Sequence, residues 1–165
     1  MEIIELKAVE TFRPSGIWTL RFIDEWTGKV TAEIKKRNLV PTIALVAYAA
    51  QFASAHTTDV GDNLYIALGS DSTAAAVGNT TLGSETLRKA VSVNESASVV
   101  SSIYTYFTSS EVSGTYREVG LFGNGNTTTA SASANSGILY SRAVQTITIP
   151  ATQGLQVQYD LTFAS

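Results

Sequence analysis

Ser98-Val99-Val100-Ser101-Ser102-Ile103-Tyr104-Thr105-Tyr106-Phe107-Thr108 decides the fold. Val100, Ser102, Tyr104, Tyr106 and Thr108 fall on one side of an extended chain, and Val99, Ser101, Ile103, Thr105 and Phe107 on the other. That period of two is the signature of a strand. Aromatics stand on both sides, so each face needs cover from the protein or from a neighbour. Further strand-like runs flank this one: Leu64 to Leu68, closed by Gly69, then Tyr116 to Phe122, Ile138 to Ile149 and Leu155 to Phe163. Pro150 and Gly154 break the last two into an antiparallel pair. No helical pattern separates these runs, whereas parallel strands need crossover connections. The expected fold is mainly β, an antiparallel sandwich or jelly-roll-like body.

Upstream the pattern changes. Ile17 to Ile23 and Lys29 to Lys35 read as a hairpin turning at Thr27-Gly28, with Trp18, Leu20 and Phe22 on one face. Ile3 to Phe12 is a third candidate strand, ended by Arg13-Pro14-Ser15-Gly16. Residues 1–37 hold seven of the eleven basic and six of the fourteen acidic side chains. This asymmetry predicts two modules with a junction near Asn38: a docking hairpin, 1–37, and a β body, 38–165. Between them, Pro41 suits a first helical turn, and a run apolar on nearly all sides predicts one short buried helix from about Thr42 to Phe52. Val46 belongs to its expected interior. Two long polar loops, Ser70 to Ser84 and Gly123 to Gly137, interrupt the body.

Composition excludes several function classes. Charged residues are 15% of the 165, against about 25% in an average soluble protein, and Ser with Thr fill about a quarter of the chain. A net charge of -3 leaves little for counterion release, so nucleic acid is not an expected partner. Without Cys and with a single His there is no thiolate nucleophile and no multi-residue Cys or His metal site. No catalytic residue, cofactor or metal is assigned, and no enzyme activity is expected. His56 reads as a polar residue past a helix C-terminus, and no nucleophile elbow accompanies it. Gly120 to Gly125 lacks the helix that a phosphate loop needs, and Asp59-Val60-Gly61-Asp62-Asn63 reads as a turn. Sequons at Asn79, Asn94 and Asn126 arise easily in so hydroxyl-rich a chain. The most apolar run, Leu39 to Ala50, is too short to span a bilayer, which takes about 20 residues. Glu2, Glu5 and Lys7 interrupt any export signal, so retention in a cytoplasm is expected.

Four passages carry a resemblance: Leu64-Tyr65-Ile66-Ala67-Leu68-Gly69, Thr86-Leu87-Arg88-Lys89-Ala90-Val91, Tyr116-Arg117-Glu118-Val119-Gly120-Leu121-Phe122 and Leu155 to Phe163. In that order, they resemble strings in tailed-bacteriophage virion proteins, tail-fibre and baseplate-associated ones among them, with Arg-Glu-Val-Gly-Leu-Phe the most specific. The resemblance implies a structural β-protein of the virion, synthesised and assembled in the host cytoplasm. It implies a tail-associated fibre, baseplate or adaptor role, with other virion proteins and copies of the chain as partners and a homotrimer as the usual symmetry. A capsid decoration protein is the alternative. A carbohydrate-binding receptor module, using Tyr104, Tyr106 and Tyr116 as platforms, is a second.

Aromatics ringed by charge are typical of interface patches. The candidate protein interface is therefore Trp18, Phe22, Trp26, Lys35 and Arg37 in the hairpin, with Tyr104, Tyr106, Arg117 and Glu118 in the body. Lys35-Lys36-Arg37, the only basic run, reads as a solvated strand end able to meet an acidic partner at a rim. Arg117 and Glu118 are successive on a strand and point to opposite faces. Glu118 is expected in a buried or interfacial hydrogen-bonded pair with Arg88 or Arg142.

Overall fold

The computed structural model describes residues 14–51, 59–125 and 128–163. Their element order is β1 (Ser15–Asp24), β2 (Val30–Arg37), α1 (Thr42–Ala50), β3 (Tyr65–Gly69), β4 (Glu85–Ala90), β5 (Val93–Ala97), β6 (Val100–Phe107), α2 (Ser109–Val112), β7 (Gly114–Gly123), β8 (Ile138–Ile149) and β9 (Gln153–Thr162). Two antiparallel sheets pack face to face as a β-sandwich, one of order β2-β1-β9-β6-β5 and one of order β4-β3-β7-β8. The expected strand Ile3 to Phe12 and His56 lie outside the described residues.

Alternation builds the core. On β9, Leu155, Val157, Tyr159 and Leu161 are buried between half-buried Gln156, Gln158 and Asp160. They meet Trp18, Leu20 and Phe22 of β1, Ile103 and Phe107 of β6, and, from the other sheet, Ile66, Leu68, Val119, Leu121, Tyr140 and Ile147. Each such large apolar side chain contributes about 1.5–3 kcal/mol. β8 is two residues longer than β7, and two register shifts absorb the difference. At the second, Leu121 pairs with Ser141 and Phe122 with Leu139, leaving Tyr140 without a partner across β7. This bulge turns both Tyr140 and Ser141 toward the core, where the Trp18 indole donates to Ser141 Oγ at 2.9 Å.

The expected division at Asn38 runs through a single core. β1 is an inner strand, paired with β9 from Ser15–Thr162 to Asp24–Gln153, and Trp18 is fully buried. Trp18 and Phe22 are therefore core side chains rather than docking residues. Part of the charge that suggested a separate module, Glu33, Lys35, Lys36 and Arg37, lies on β2, the sheet's exposed edge, where the three cations keep unpaired backbone groups from inviting another strand. Asn38 stitches the hairpin to the body: its side chain accepts from Gly16 N at 2.9 Å and donates to Ser141 Oγ and Tyr159 Oη at 2.9 and 2.8 Å.

Helix α1 corrects the expectation of a helix buried all round. Ala44 and Ala47 face the core and Tyr48 stacks on Tyr140 at 5.4 Å between ring centroids, but Val46 is 62% exposed. Small residues on the packed face let the helix lie close to β8, and only that face is covered. A second short helix, α2, follows β6 directly. Thr108 and Glu111 close a capping box at its start, with each side chain bonded to the other's backbone N–H.

Candidate functional site

The buried charge of the body lies on the outer side of the four-stranded sheet, beneath the two long loops. Glu118 points outward from β7 yet is fully buried. Its Oε1 accepts from Ser84 N at 2.8 Å, and its Oε2 accepts from Gly83 N at 3.1 Å and the Arg142 guanidinium at 2.9 Å. Arg142, from β8, also donates to Asn79 Oδ1, Asp71 Oδ2 and Thr73 O at 3.0–3.1 Å. The pair expected from sequence is present, with Arg142 as the partner. It clamps the 70–84 loop to the sheet from several points. The amide and hydroxyl of Thr73, then Arg142, hold the Asp71 carboxyl below the usual carboxylate range. Glycine at residue 69 is required here, because a Cβ would run into Glu118 and the Ser84 carbonyl.

Arg88 does the same for the second loop. Its guanidinium binds both carboxylate oxygens of Glu85, on the same strand, and donates to Ser131 O and Ser136 O at 2.9 and 3.0 Å. Glu85 in turn accepts from Asn135 N at 2.8 Å. The cation lies 4.4 Å from the centroid of Phe122, which packs with Ala67, Leu82 and Leu139 in a small second core. These carboxylates are saturated by internal donors. In chemical terms the arrangement fixes loop shape.

A third cluster fixes the β1–β2 turn. Glu25 accepts from Ser109 N at 2.8 Å, from Ser109 Oγ at 2.5 Å and from the Tyr106 hydroxyl at 3.0 Å. The Ser109 donors hold the Glu25 carboxyl below its ordinary range, and desolvation, then Glu25, pushes the Tyr106 phenol up to about 12. Next to it, Trp26 is 96% exposed.

The candidate interface residues therefore separate. Trp26, Lys35, Arg37 and Arg117 are exposed; Tyr104 and Tyr106 are half-buried on the outer face of the five-stranded sheet. Trp18, Phe22 and Glu118 are internal, so no single patch unites the nine. Sequence reasoning missed the groove at the start of β1, about 550 Å³, lined in part by Pro14, Ile17, Arg37, Val40 and Leu45. Its one signal in the sequence is Ile17, an apolar residue on the strand face opposite Trp18. Among the described residues no three His, Cys, Asp or Glu side chains are grouped to hold a metal, and no helix is long and apolar enough to cross a membrane. No protein-family model, curated protein or solved structure matches the chain.

Proposed function

We propose that the protein is a non-enzymatic structural component of a tailed-phage virion, associated with the tail, which works by self-assembly and by docking on other virion proteins. The observation that carries this reading is the use made of the motif most specific to the resemblance. Arg117 to Phe122 lies in β7, where Val119 and Leu121 fill the core, Glu118 clamps the 70–84 loop, and Phe122 supports Arg88 over the second loop. The motif serves shape, which is what an assembling subunit contributes. Low charge and an exposed indole on a fixed turn support the same reading.

The test is quantitative mass spectrometry of purified particles combined with imaging of a labelled subunit. A tail role gives low copy number and label on the tail. Hundreds of copies on the head would replace it with the decoration role, and absence from particles would overturn it.

A further inference from the structure

We propose that copies of this chain join head to tail, with Trp26 of one copy seated in the groove at the start of β1 of the next. This rests on the assembly reading above and names the contact that assembly uses.

Trp26 is a large apolar side chain left in water on a turn that is itself held still. Thr27 donates from its amide and hydroxyl to Asp24 Oδ1 at 2.7 and 2.8 Å, Gly28 N donates to Asp24 O at 2.8 Å, and Glu25 is anchored on Ser109 and Tyr106. The backbone on either side is ordered before any partner arrives, which removes much of the entropic cost of binding. Tryptophan in that setting is the residue type most enriched at binding hot spots.

The groove supplies the complement. Ile17 and Leu45, 42% and 43% exposed, offer apolar surface alongside Pro14 and Val40, and Arg37 stands at the side, able to lie over an indole face. Among the described residues no acidic side chain lines it, whereas Asp24 and Glu25 flank Trp26, so the charges match across the contact. The two features sit at opposite ends of β1. Ten residues of strand separate them by about 30 Å, so a copy cannot fill its own groove; joined head to tail, each copy gives its knob to one neighbour and its groove to another, a heterologous contact.

A half-site complementation experiment on the full chain tests this. Trp26→Ala removes the knob and Leu45→Glu blocks the groove with a charge that repels Asp24 and Glu25. Both positions are solvent-accessible, and an unchanged thermal midpoint verifies folding. In sedimentation velocity the wild-type chain is expected to form species larger than a dimer. Each variant alone should lose self-association by about 30-fold or more. An equimolar mixture should form dimers and stop there, because one intact knob and one intact groove remain. A monomeric wild-type chain, or a mixture that stays monomeric, would overturn the contact. So would assembly that survives Trp26→Ala but not Leu45→Glu, which would give the groove to another occupant, residues 1–13 of the chain included. Particle incorporation is read separately. A monomeric chain that still joins particles removes the head-to-tail contact and leaves the virion reading, and a self-assembling chain absent from particles does the reverse.

Discussion

The outer face of the four-stranded sheet carries Glu118, Phe122 and Arg142 beneath two loops; that of the five-stranded sheet carries Arg21, Gln156, Gln158 and Asp160, half-buried and within reach of water. Both faces are polar ladders. On the open face, Arg21 bridges Glu33 at 2.8 Å with Gln156 and Gln158, and Ser102 donates to Asp160. Water competes for every one of those bonds, so each is worth little. Under the loops the same kinds of group are desolvated, and each must be satisfied by protein. The contrast shows how a low-charge chain uses its few ions: where they are covered they determine loop conformation, and where they are open they solubilise an edge.

Removing Arg142 breaks the covered face most severely. Arg142→Met leaves Glu118 buried without its cation and strips Asp71, Asn79 and Thr73 of a shared donor. A cost of about 3–5 kcal/mol is expected, the range for orphaning one member of a buried pair. Hydrogen exchange should accelerate across 70–84 before the rest of the sandwich. A loss below 1 kcal/mol would mean that the loop is held by Gly83 and Ser84 alone.

Arg88→Met should cost less, about 2–3 kcal/mol, because Glu85 keeps the Asn135 amide and the methionine can still cover Phe122. Here exchange should accelerate in the second loop and leave 70–84 protected. Identical exchange patterns in the two variants would show that the loops form one unit instead of two.

Acid sharpens the comparison through carboxylates on both faces. Asp71 is depressed by Thr73 and Arg142, Glu33 by Lys35 and Arg21, and Glu111 by Lys89 and Thr108. Their folded values lie below their unfolded ones, so their stabilisation is complete above the ordinary carboxylate range and is lost as pH falls through the depressed values. The thermal midpoint should be level at and above about pH 5 and drop below about pH 4. Asp71→Asn should flatten part of that drop. A midpoint unchanged down to pH 2 would dissociate these bonds from stability.

How much of this was legible depends on whether the deciding contact was local. A strand within Ser98 to Thr108 follows from alternation, and direction along a strand puts Glu118 in a buried or interfacial pair with Arg88 or Arg142, of which the folded sheet brings up Arg142. β4 and β5 lack a clear apolar alternation because neither buries a face: every residue of Glu85–Ala90 and Val93–Ala97 is exposed or half-buried, so polar residues interrupt them. Ser98, read as strand, instead turns at φ 56° and lets β5 double back. α2 was readable in Thr108-Ser109-Ser110-Glu111, a capping-box spacing at the end of a strand pattern. In the hairpin, charge count points to a separate module and the Trp18-Leu20-Phe22 stripe to a face packed inward or on a neighbour; the stripe lies in the core of the sandwich. Arg88 holding the second loop was not legible at all. It needs Phe122, Glu85 and Ser136 brought together by β3, β4 and β7, which only the assembled sheet does.

The smallest effect is expected at Val46. An apolar run long enough to hide a helix predicts that Val46→Asp would bury an unpaired carboxylate at a cost of several kcal/mol, the order of such desolvation. The structure reverses this, because α1 meets β8 through Ala44 and Ala47 and turns Val46 to solvent. An aspartate there keeps its hydration, and its helix propensity is close to that of valine. The unfolding free energy from urea titration should therefore change by no more than about 0.5 kcal/mol, as for most surface substitutions. Ala47→Asp, one residue on and 4% exposed, provides the contrast and should lower the midpoint markedly. Equal losses at the two positions would mean that Val46 is covered in solution after all, either by another part of the chain or by the next copy docked against the neighbouring Leu45. Dilution separates those cases, since only cover by a second copy vanishes as the concentration falls.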